Sequence, residues 1–139
     1  MIGSVIRHAD SHHLAGNLLL LAMCWPTVIR ALGARRAGLL LATAGVVANA
    51  ITAALIARPV IGLSAAAAAA LAAQLALHPY GRLAAIPAGT VALAWLGSQA
   101  VLATLSPTFA GIAWPAHLIG AALGALGAHW LRRRAATPV

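Results

Sequence analysis

The chain has very few charged side chains and almost no acidic ones. Of its 139 residues only Asp10 carries a carboxylate side chain, glutamate and lysine are absent, and all nine basic residues are arginine. Charged residues make up 7% of the sequence, whereas a soluble domain has about a quarter. This scarcity excludes an ordinary water-soluble domain, because too few charged groups are available to cover its surface.

The missing acids also exclude several kinds of protease. A metalloprotease of the HExxH type needs a glutamate, and an intramembrane aspartyl protease needs two aspartates. A Ser-His-Asp triad would lack an acid inside the apolar runs, since Asp10 precedes them. Cysteine is nearly absent as well: Cys24 is alone, which excludes an internal disulfide and predicts a packing role.

Apolar residues, by contrast, make up 63% of the chain, which predicts that lipid is its solvent. Short segments rich in glycine, proline and arginine separate five apolar runs, as is typical of turns between helices. We expect an all-α, polytopic transmembrane bundle that forms a single domain over residues 1–139. Its spanning helices, about five, are predicted at roughly 13–29, 37–56, 64–77, 83–104 and 115–131. The 64–77 run is short for a span, so we expect it to begin below the membrane surface.

The arginines predict the orientation of the bundle. With five spans, seven of them lie on one side, and only Arg7 and Arg58 lie on the other. By the positive-inside rule the C-terminus is then cytoplasmic and the N-terminus outside, and we expect a bacterial inner membrane. Because the cations occupy gaps between apolar runs rather than one polar face, we expect contact with the lipid bilayer and no nucleic-acid partner.

Among the polar side chains in the apolar runs, seven stand out: His13, Asn17, Asn49, Ser64, Gln74, Gln99 and His117. A polar group in a spanning helix is costly unless it faces partners or water, so each is a candidate functional residue. We interpret Asn49, Gln74 and Gln99 as partners in hydrogen bonds between helices. The other four fall near the outer ends of the first, third and fifth spans, which predicts one shared site.

The chemistry open to this set is a serine activated directly by a histidine. Ser64 would be the nucleophile and His117 the general base. His13 and Asn17 lie four residues apart, on one helix face, where both would donate hydrogen bonds to an oxyanion. The free backbone amides at the start of the Ser64 helix would add further donors.

Small residues in the last apolar run predict a close helix contact. Gly120 and Gly124 form a GxxxG stripe that begins one turn after His117. Such a stripe lets two helix backbones approach closely, and the alanine-rich start of the Ser64 helix offers a matching surface. We therefore expect the Ser64 hydroxyl and the His117 imidazole to come within hydrogen-bonding reach.

Three segments together resemble the rhomboid family of intramembrane serine proteases. RHADSHHLAGNLLLL resembles the family's second-helix signature, in which one histidine precedes an asparagine by four residues and another lies five residues earlier still. GLSA resembles the GxSG motif around the nucleophile, and AHLIGAALG resembles the AHxxGxxxG of the last core helix. The matching positions are His8, His13, Asn17, Gly62, Ser64, His117, Gly120 and Gly124.

The resemblance implies a rhomboid-like bundle that cleaves transmembrane protein substrates near their outer ends, without a cofactor or a metal. It implies that Ser64 attacks the scissile carbonyl while His117 takes its proton. His13 and Asn17 would hold the oxyanion together with the Ser64 amide. The oligomeric state does not follow from the sequence.

The chain departs from the family's pattern in three places. Ala65 replaces the glycine after the nucleophile, and Ala68 stands where many members carry an aromatic residue that stacks on the catalytic histidine. By this resemblance, the first apolar run is expected to correspond to the second of the family's usual six helices. These departures favour an alternative, a catalytically inactive rhomboid-like pseudoprotease that binds membrane-protein clients.

Cofactor binding and transport are weaker hypotheses. A metal held by histidines of the segment 8–13 with Asp10, or a haem between His13 and His117, would leave Ser64 and Asn17 without a role. A transporter would be expected to carry inverted repeats and coupled charges near the midplane, and the sequence has neither. The tryptophans are interpreted as interface anchors (Trp25, Trp114 and Trp130) or as packing within a span (Trp95).

Overall fold

The computed structural model describes residues 11–57, 59–60, 62–105 and 114–136, and most of them are helical. In chain order the elements are α1 (Ser11–Leu32), α2 (Ala34–Ile56), α3 (Ser64–Leu77), β1 (Arg82–Leu83), β2 (Ile86–Pro87), α4 (Ala88–Leu105) and α5 (Trp114–Ala136). Within these described residues, α1 and α2 are each long and apolar enough to cross a membrane. Two shorter apolar helical stretches are Ser64–Leu77 and Ala88–Ser98.

A single residue, Gly33, joins α1 to α2. Its φ of 81° lies in a region that residues with a side chain rarely adopt, so glycine allows the chain to turn without strain. The turn is closed by backbone hydrogen bonds on both sides: the Gly33 amide donates to Ile29 (2.7 Å), and the Ala37 amide donates to Gly33 (3.0 Å). The two helices can therefore pack side by side directly after the turn.

Buried side chains form three levels along the bundle. The upper level contains Ala48, Val60, Ala65 and Ala116. The middle level includes Leu20, Cys24, Leu41, Ala44, Ala67 and Leu71, and the lower level includes Val28, Leu32, Ala37, Ala73, Leu77 and Ala128. Along the chain α1, α3 and α5 descend through these levels and α2 ascends. The first residues of α3 and α5 thus lie at the same end of the bundle.

Helix α3 is the central element, enclosed by α1, α2 and α5. Almost all of its 14 residues are buried, and most are alanine, whose small side chain lets neighbouring helices approach from every direction. At 1.5 Å per residue it is about 21 Å long, shorter than a hydrocarbon core of about 30 Å. A helix of this length can stay inside a membrane bundle only because protein surrounds its ends.

Backbone contact fixes the register of α3 against α5. A Cβ on either Gly120 or Gly124 would overlap a carbonyl oxygen of α3, so only glycine fits there. At the lower end an arginine of α5 donates from Nη1 to the last carbonyl of α3 at 3.1 Å. The three contacts share a separation of 55 positions, which makes the helices parallel along the whole of α3: Ala65–Gly120, Ala69–Gly124 and Leu77–Arg132.

A two-residue hairpin leads from α3 to α4. Its strands pair Arg82 with Pro87 and Leu83 with Ile86, and the buried Leu83 side chain anchors it. The apolar stretch from Leu83 is therefore not helical at its start, and α4 begins only at Ala88. Helix α4 contacts the core through Val91, Ala92 and Trp95, while Leu93, Leu96 and Val101 are exposed on its outer side.

Candidate functional site

Ser64 is the first residue of α3, and its position depends on the turn before it. Gly62 is buried and has a φ of 121°, a conformation that favours glycine. A Cβ on Gly62 would lie 3.8 Å from Ser64 Oγ and 3.8 Å from His13 Nε2. The Ser64 hydroxyl and the His13 imidazole therefore both lie next to the same point of this turn.

Helix α1 contributes two polar side chains to the same end. His13 and Asn17 are one turn apart on one face. Asn17 is only 5% exposed, and within the described part of the chain its Nδ2 donates no hydrogen bond. The half-buried His13 lies near enough to His117 for the two imidazoles to interact electrostatically. The amide of Asn17 is thus a buried donor that is available to a ligand oxygen.

His117 lies on α5 and is 4% exposed. The register of the two helices aligns Ser64 with Ile119, so His117 is about 3 Å higher along the axis than Ser64. Ser64 is also about 7–8 Å below the start of α5, and the site is therefore recessed within the bundle. The two described side chains are not hydrogen-bonded to each other, and His117 Nδ1 is buried without a partner in the described residues.

Two indole rings contact the His117 imidazole. The Trp95 ring centroid is 5.3 Å away with the planes tilted by 54°, and the Trp114 centroid is 6.1 Å away at 68°. Both distances are in the range of favourable aromatic pairs. Sequence reasoning missed both contacts. The three-residue spacing between Trp114 and His117 could have indicated their contact, because such residues are neighbours on a helix. Trp95 belongs to another helix, so no spacing indicated its contact.

Asn49 is bound to the turn that precedes the candidate nucleophile. Its Nδ2 donates a buried hydrogen bond of 3.1 Å to the carbonyl oxygen of Gly62. The sequence predicted that Asn49 bonds to another helix. That prediction was wrong about the acceptor, which is a loop carbonyl. Asn49 links α2 directly to the segment that positions Ser64.

The added methyl of Ala65 has room in the upper level. Ala65 is fully buried beside Ala48, Val60 and Ala116, most of which are small. On the next residue the Ala66 Cβ lies 3.0 Å from the position that a Cβ on Gly45 would take. Glycine on α2 thus makes room for the alanines of α3.

The other candidate functional residues lie apart from this cluster or outside the described residues. Gln74 is buried lower on α3, and neither of its side-chain polar atoms has a hydrogen-bond partner in the described residues. His8, Asp10 and the side chains of His12 and Gln99 lie outside the described residues. Among those that are described, no group of three histidine, cysteine or acidic side chains could hold a metal ion.

Chemically, the arrangement combines a hydroxyl, an imidazole and a free amide donor within an apolar bundle. Electrostatic interactions are stronger there than in water, because solvent screening is reduced. A carbonyl carbon placed near Ser64 could be attacked by the hydroxyl, and the developing negative charge could be held by Asn17 Nδ2 and backbone amides.

Comparison with known proteins gives one match. A family model described as Rhomboid domain matches residues 1–134 of the chain. No curated protein and no solved structure matches. The family match confirms the resemblance predicted from the sequence. Together with the helices described above, it also confirms the predicted helical membrane bundle.

Proposed function

The chain belongs to the rhomboid family, and on that premise we propose that it is an intramembrane serine endopeptidase that cleaves transmembrane segments near their outer ends. Rhomboid proteins act on membrane-protein substrates within the bilayer, as proteases or as pseudoproteases. One observation carries the proposal. Asn17, Ser64 and His117, each more than nine-tenths buried, lie at one end of a bundle whose core is largely alanine and leucine.

The reaction divides into two steps. Ser64 Oγ attacks the scissile carbonyl carbon while His117 accepts the hydroxyl proton, and the carbonyl oxygen becomes an oxyanion. Asn17, His13 and the Ser64 amide stabilise that oxyanion by hydrogen bonds. The peptide C–N bond then breaks, and His117 returns the proton to the leaving amine. In the second step water attacks the acyl carbon while His117 takes its proton. The ester bond to Ser64 Oγ then breaks, and His117 returns the proton to that oxygen.

Substrate binding has to bring Ser64 and His117 together. The two side chains are not hydrogen-bonded in the free protein, and catalytic hydrogen bonds of this kind often tighten only when substrate binds. An axial offset of about 3 Å between the two residues is small enough for side-chain rotation to close. The backbone contact between Ala65 and Gly120 keeps the two helices at that spacing.

The decisive experiment uses the purified protein in liposomes with a transmembrane model substrate and a fluorophosphonate probe. Wild type should cleave the substrate and become labelled, and Ser64→Ala and His117→Ala should abolish both. Ser98→Ala is a matched control, because among the described residues that exposed hydroxyl donates its hydrogen bond to the carbonyl of Trp95 on its own helix. Labelling that persists in Ser64→Ala would refute the assignment of the nucleophile.

A pseudoprotease is the second candidate, and the missing Ser64–His117 hydrogen bond favours it. In that case the wild type neither cleaves nor becomes labelled, yet it still binds a transmembrane client in the bilayer. Fluorescence energy transfer between the labelled protein and a labelled transmembrane peptide would measure that binding. Binding without labelling would replace the protease proposal with this one.

We further propose a bacterial inner membrane, with the C-terminus cytoplasmic and the N-terminus outside. The arginines of the described residues support this orientation, because they lie near the lower ends of α1 and α5, at the start of α2 or in the hairpin after α3. A reporter enzyme that works only in the cytoplasm should be active when it is fused to the C-terminus. A reporter that works only outside the cytoplasm should be inactive there.

A further inference from the structure

Among the residues that the structure describes, no acidic side chain orients the imidazole of His117. In the usual serine hydrolase an acid binds the second imidazole nitrogen and holds the ring in position. Here His117 Nδ1 is buried and has no partner among the described residues. The only acidic residue of the chain is Asp10, which precedes the first apolar run. Within the described part of the chain, the observed contacts of the ring are packing contacts.

The packing comes from two indoles. Trp114 lies one turn before His117 on the same helix, so its contact at 6.1 Å follows from helix geometry alone. Trp95 belongs to α4, and its centroid distance of 5.3 Å is a contact between separate elements. Ala68, at the position where many family members carry a stacking aromatic, contributes only a methyl group.

We propose that Trp95 is a positioning residue that, together with Trp114, holds the His117 imidazole in its working orientation and stabilises it when it takes the proton. This inference rests on the proposed role of His117 as general base. An indole within about 6 Å of a cation attracts it through the ring quadrupole. The Trp95 ring is close enough to act in this way on an imidazolium, whose charge appears only during the reaction.

The contact is expected to affect kcat rather than KM. Trp95→Leu removes the aromatic ring and should lower kcat by about 10- to 100-fold, as expected when a catalytic group loses its orientation. KM for a transmembrane substrate should change by less than about 3-fold, because binding is not what the imidazolium contact stabilises. Trp95→Phe keeps an aromatic ring and should retain most of the activity.

Trp130→Leu is the matched control. It makes the same change on α5, at the far end of the helix, where Trp130 lies under the Arg134 guanidinium at 4.2 Å. It should leave kcat and KM unchanged. Circular dichroism of every variant tests whether the helices are intact. If the role of Trp95 is merely structural, Trp95→Phe should fail to restore the rate.

A second measurement does not depend on activity. In protein with isotope-labelled histidine, the His117 ring protons should show a ring-current shift, assigned by its loss in His117→Gln. Trp95→Leu should remove most of that shift and Trp130→Leu none of it. A shift that is unchanged by Trp95→Leu would overturn the inference.

The kinetic outcomes separate this inference from the proposed function. An active wild type with an unchanged kcat in Trp95→Leu would overturn the inference and leave the protease proposal intact. An inactive wild type would overturn both, even where the ring-current shift is present. A lower kcat in Trp95→Leu, recovery in Trp95→Phe and a constant KM would support the inference.

Discussion

Replacing Gly120 by alanine tests the helix contact on which the site depends. The new methyl would overlap the carbonyl oxygen of Ala65, and it would also lie 3.0 Å from the carbonyl carbon. Both are backbone atoms, so no side-chain rotation can relieve the overlap. Helices α3 and α5 would have to move apart close to the level of Ser64 and His117.

Four glycines give a graded series from which the magnitude follows. Forcing a methyl into a packed contact costs about 1–3 kcal/mol, and replacing glycine by alanine in a helix returns about 0.5–1 kcal/mol. Gly120→Ala and Gly124→Ala should therefore lose a net free energy of unfolding of about 0–2.5 kcal/mol, which is about 1–3 kcal/mol worse than an alanine that meets nothing. Gly127→Ala meets the flexible end of Leu40 and should lose less, whereas Gly97→Ala meets nothing within 4 Å and should be neutral or stabilising.

Unfolding by SDS in mixed micelles, followed by circular dichroism, measures the order of stability within the series. The rate of fluorophosphonate labelling measures the geometry of the site. Gly120→Ala should slow labelling by about 10-fold or more, since a misplacement of about 1 Å can cost 100-fold. Gly124→Ala, one turn further from His117, should slow it less.

One result in this series would contradict the backbone contact between α3 and α5. If Gly120→Ala unfolds at the same SDS fraction as Gly97→Ala and is labelled at the wild-type rate, α3 and α5 are not in backbone contact. The parallel register that brings Ser64 and His117 to one level would then be wrong. A loss in both stability and labelling at Gly97→Ala would be equally contradictory, because in the described part of the chain no atom outside its own helix backbone lies within 4 Å of a Cβ there.

Three further changes test individual side chains. Asn49→Ala should cost about 1–3 kcal/mol by leaving a buried carbonyl unpaired and should slow labelling, while Thr43→Ala on the same helix should do neither. Asn17→Leu should lower kcat by about 10- to 1000-fold yet leave the protein as stable or more stable, because a buried unpaired amide is removed. Unchanged cleavage would exclude an oxyanion role. Arg132→Gln should cost about 1 kcal/mol in SDS unfolding through loss of its hydrogen bond at a helix C-terminus, and Arg36→Gln should cost nothing measurable.

Much of the architecture could be predicted because it depends on composition. A chain with 63% apolar and 7% charged residues has few alternatives to a helical membrane bundle. The shared end of the first, third and fifth helices follows from counting spans, which is why Ser64 and His117 could be assigned to one level. The GxxxG stripe at Gly120 likewise indicated which helix packs on α3, because small residues at that spacing favour close contact.

The contacts of Trp95 and Asn49 could not be predicted in this way. Both depend on the rotation of a helix about its own axis, which sequence indicates only when one face is polar and the other apolar. Here nearly every face is apolar, since lipid and protein core accept the same side chains. The acceptor of Asn49 is moreover a loop carbonyl, and the loop's path is set by the positive φ of Gly62, which the sequence did not indicate.

The two substitutions that favoured a pseudoprotease have separate physical accounts. The methyl of Ala65 fits because its neighbours Ala48 and Ala116 are small. The aromatic contact absent at Ala68 is made to His117 from α4 by Trp95. Neither substitution obstructs the approach of Ser64 to His117, so the choice between protease and pseudoprotease depends on whether substrate closes the remaining distance between the two side chains. Phosphonylation of Ser64 by a fluorophosphonate probe, with loss of fluoride, tests that activation, because the probe reacts only with an activated hydroxyl.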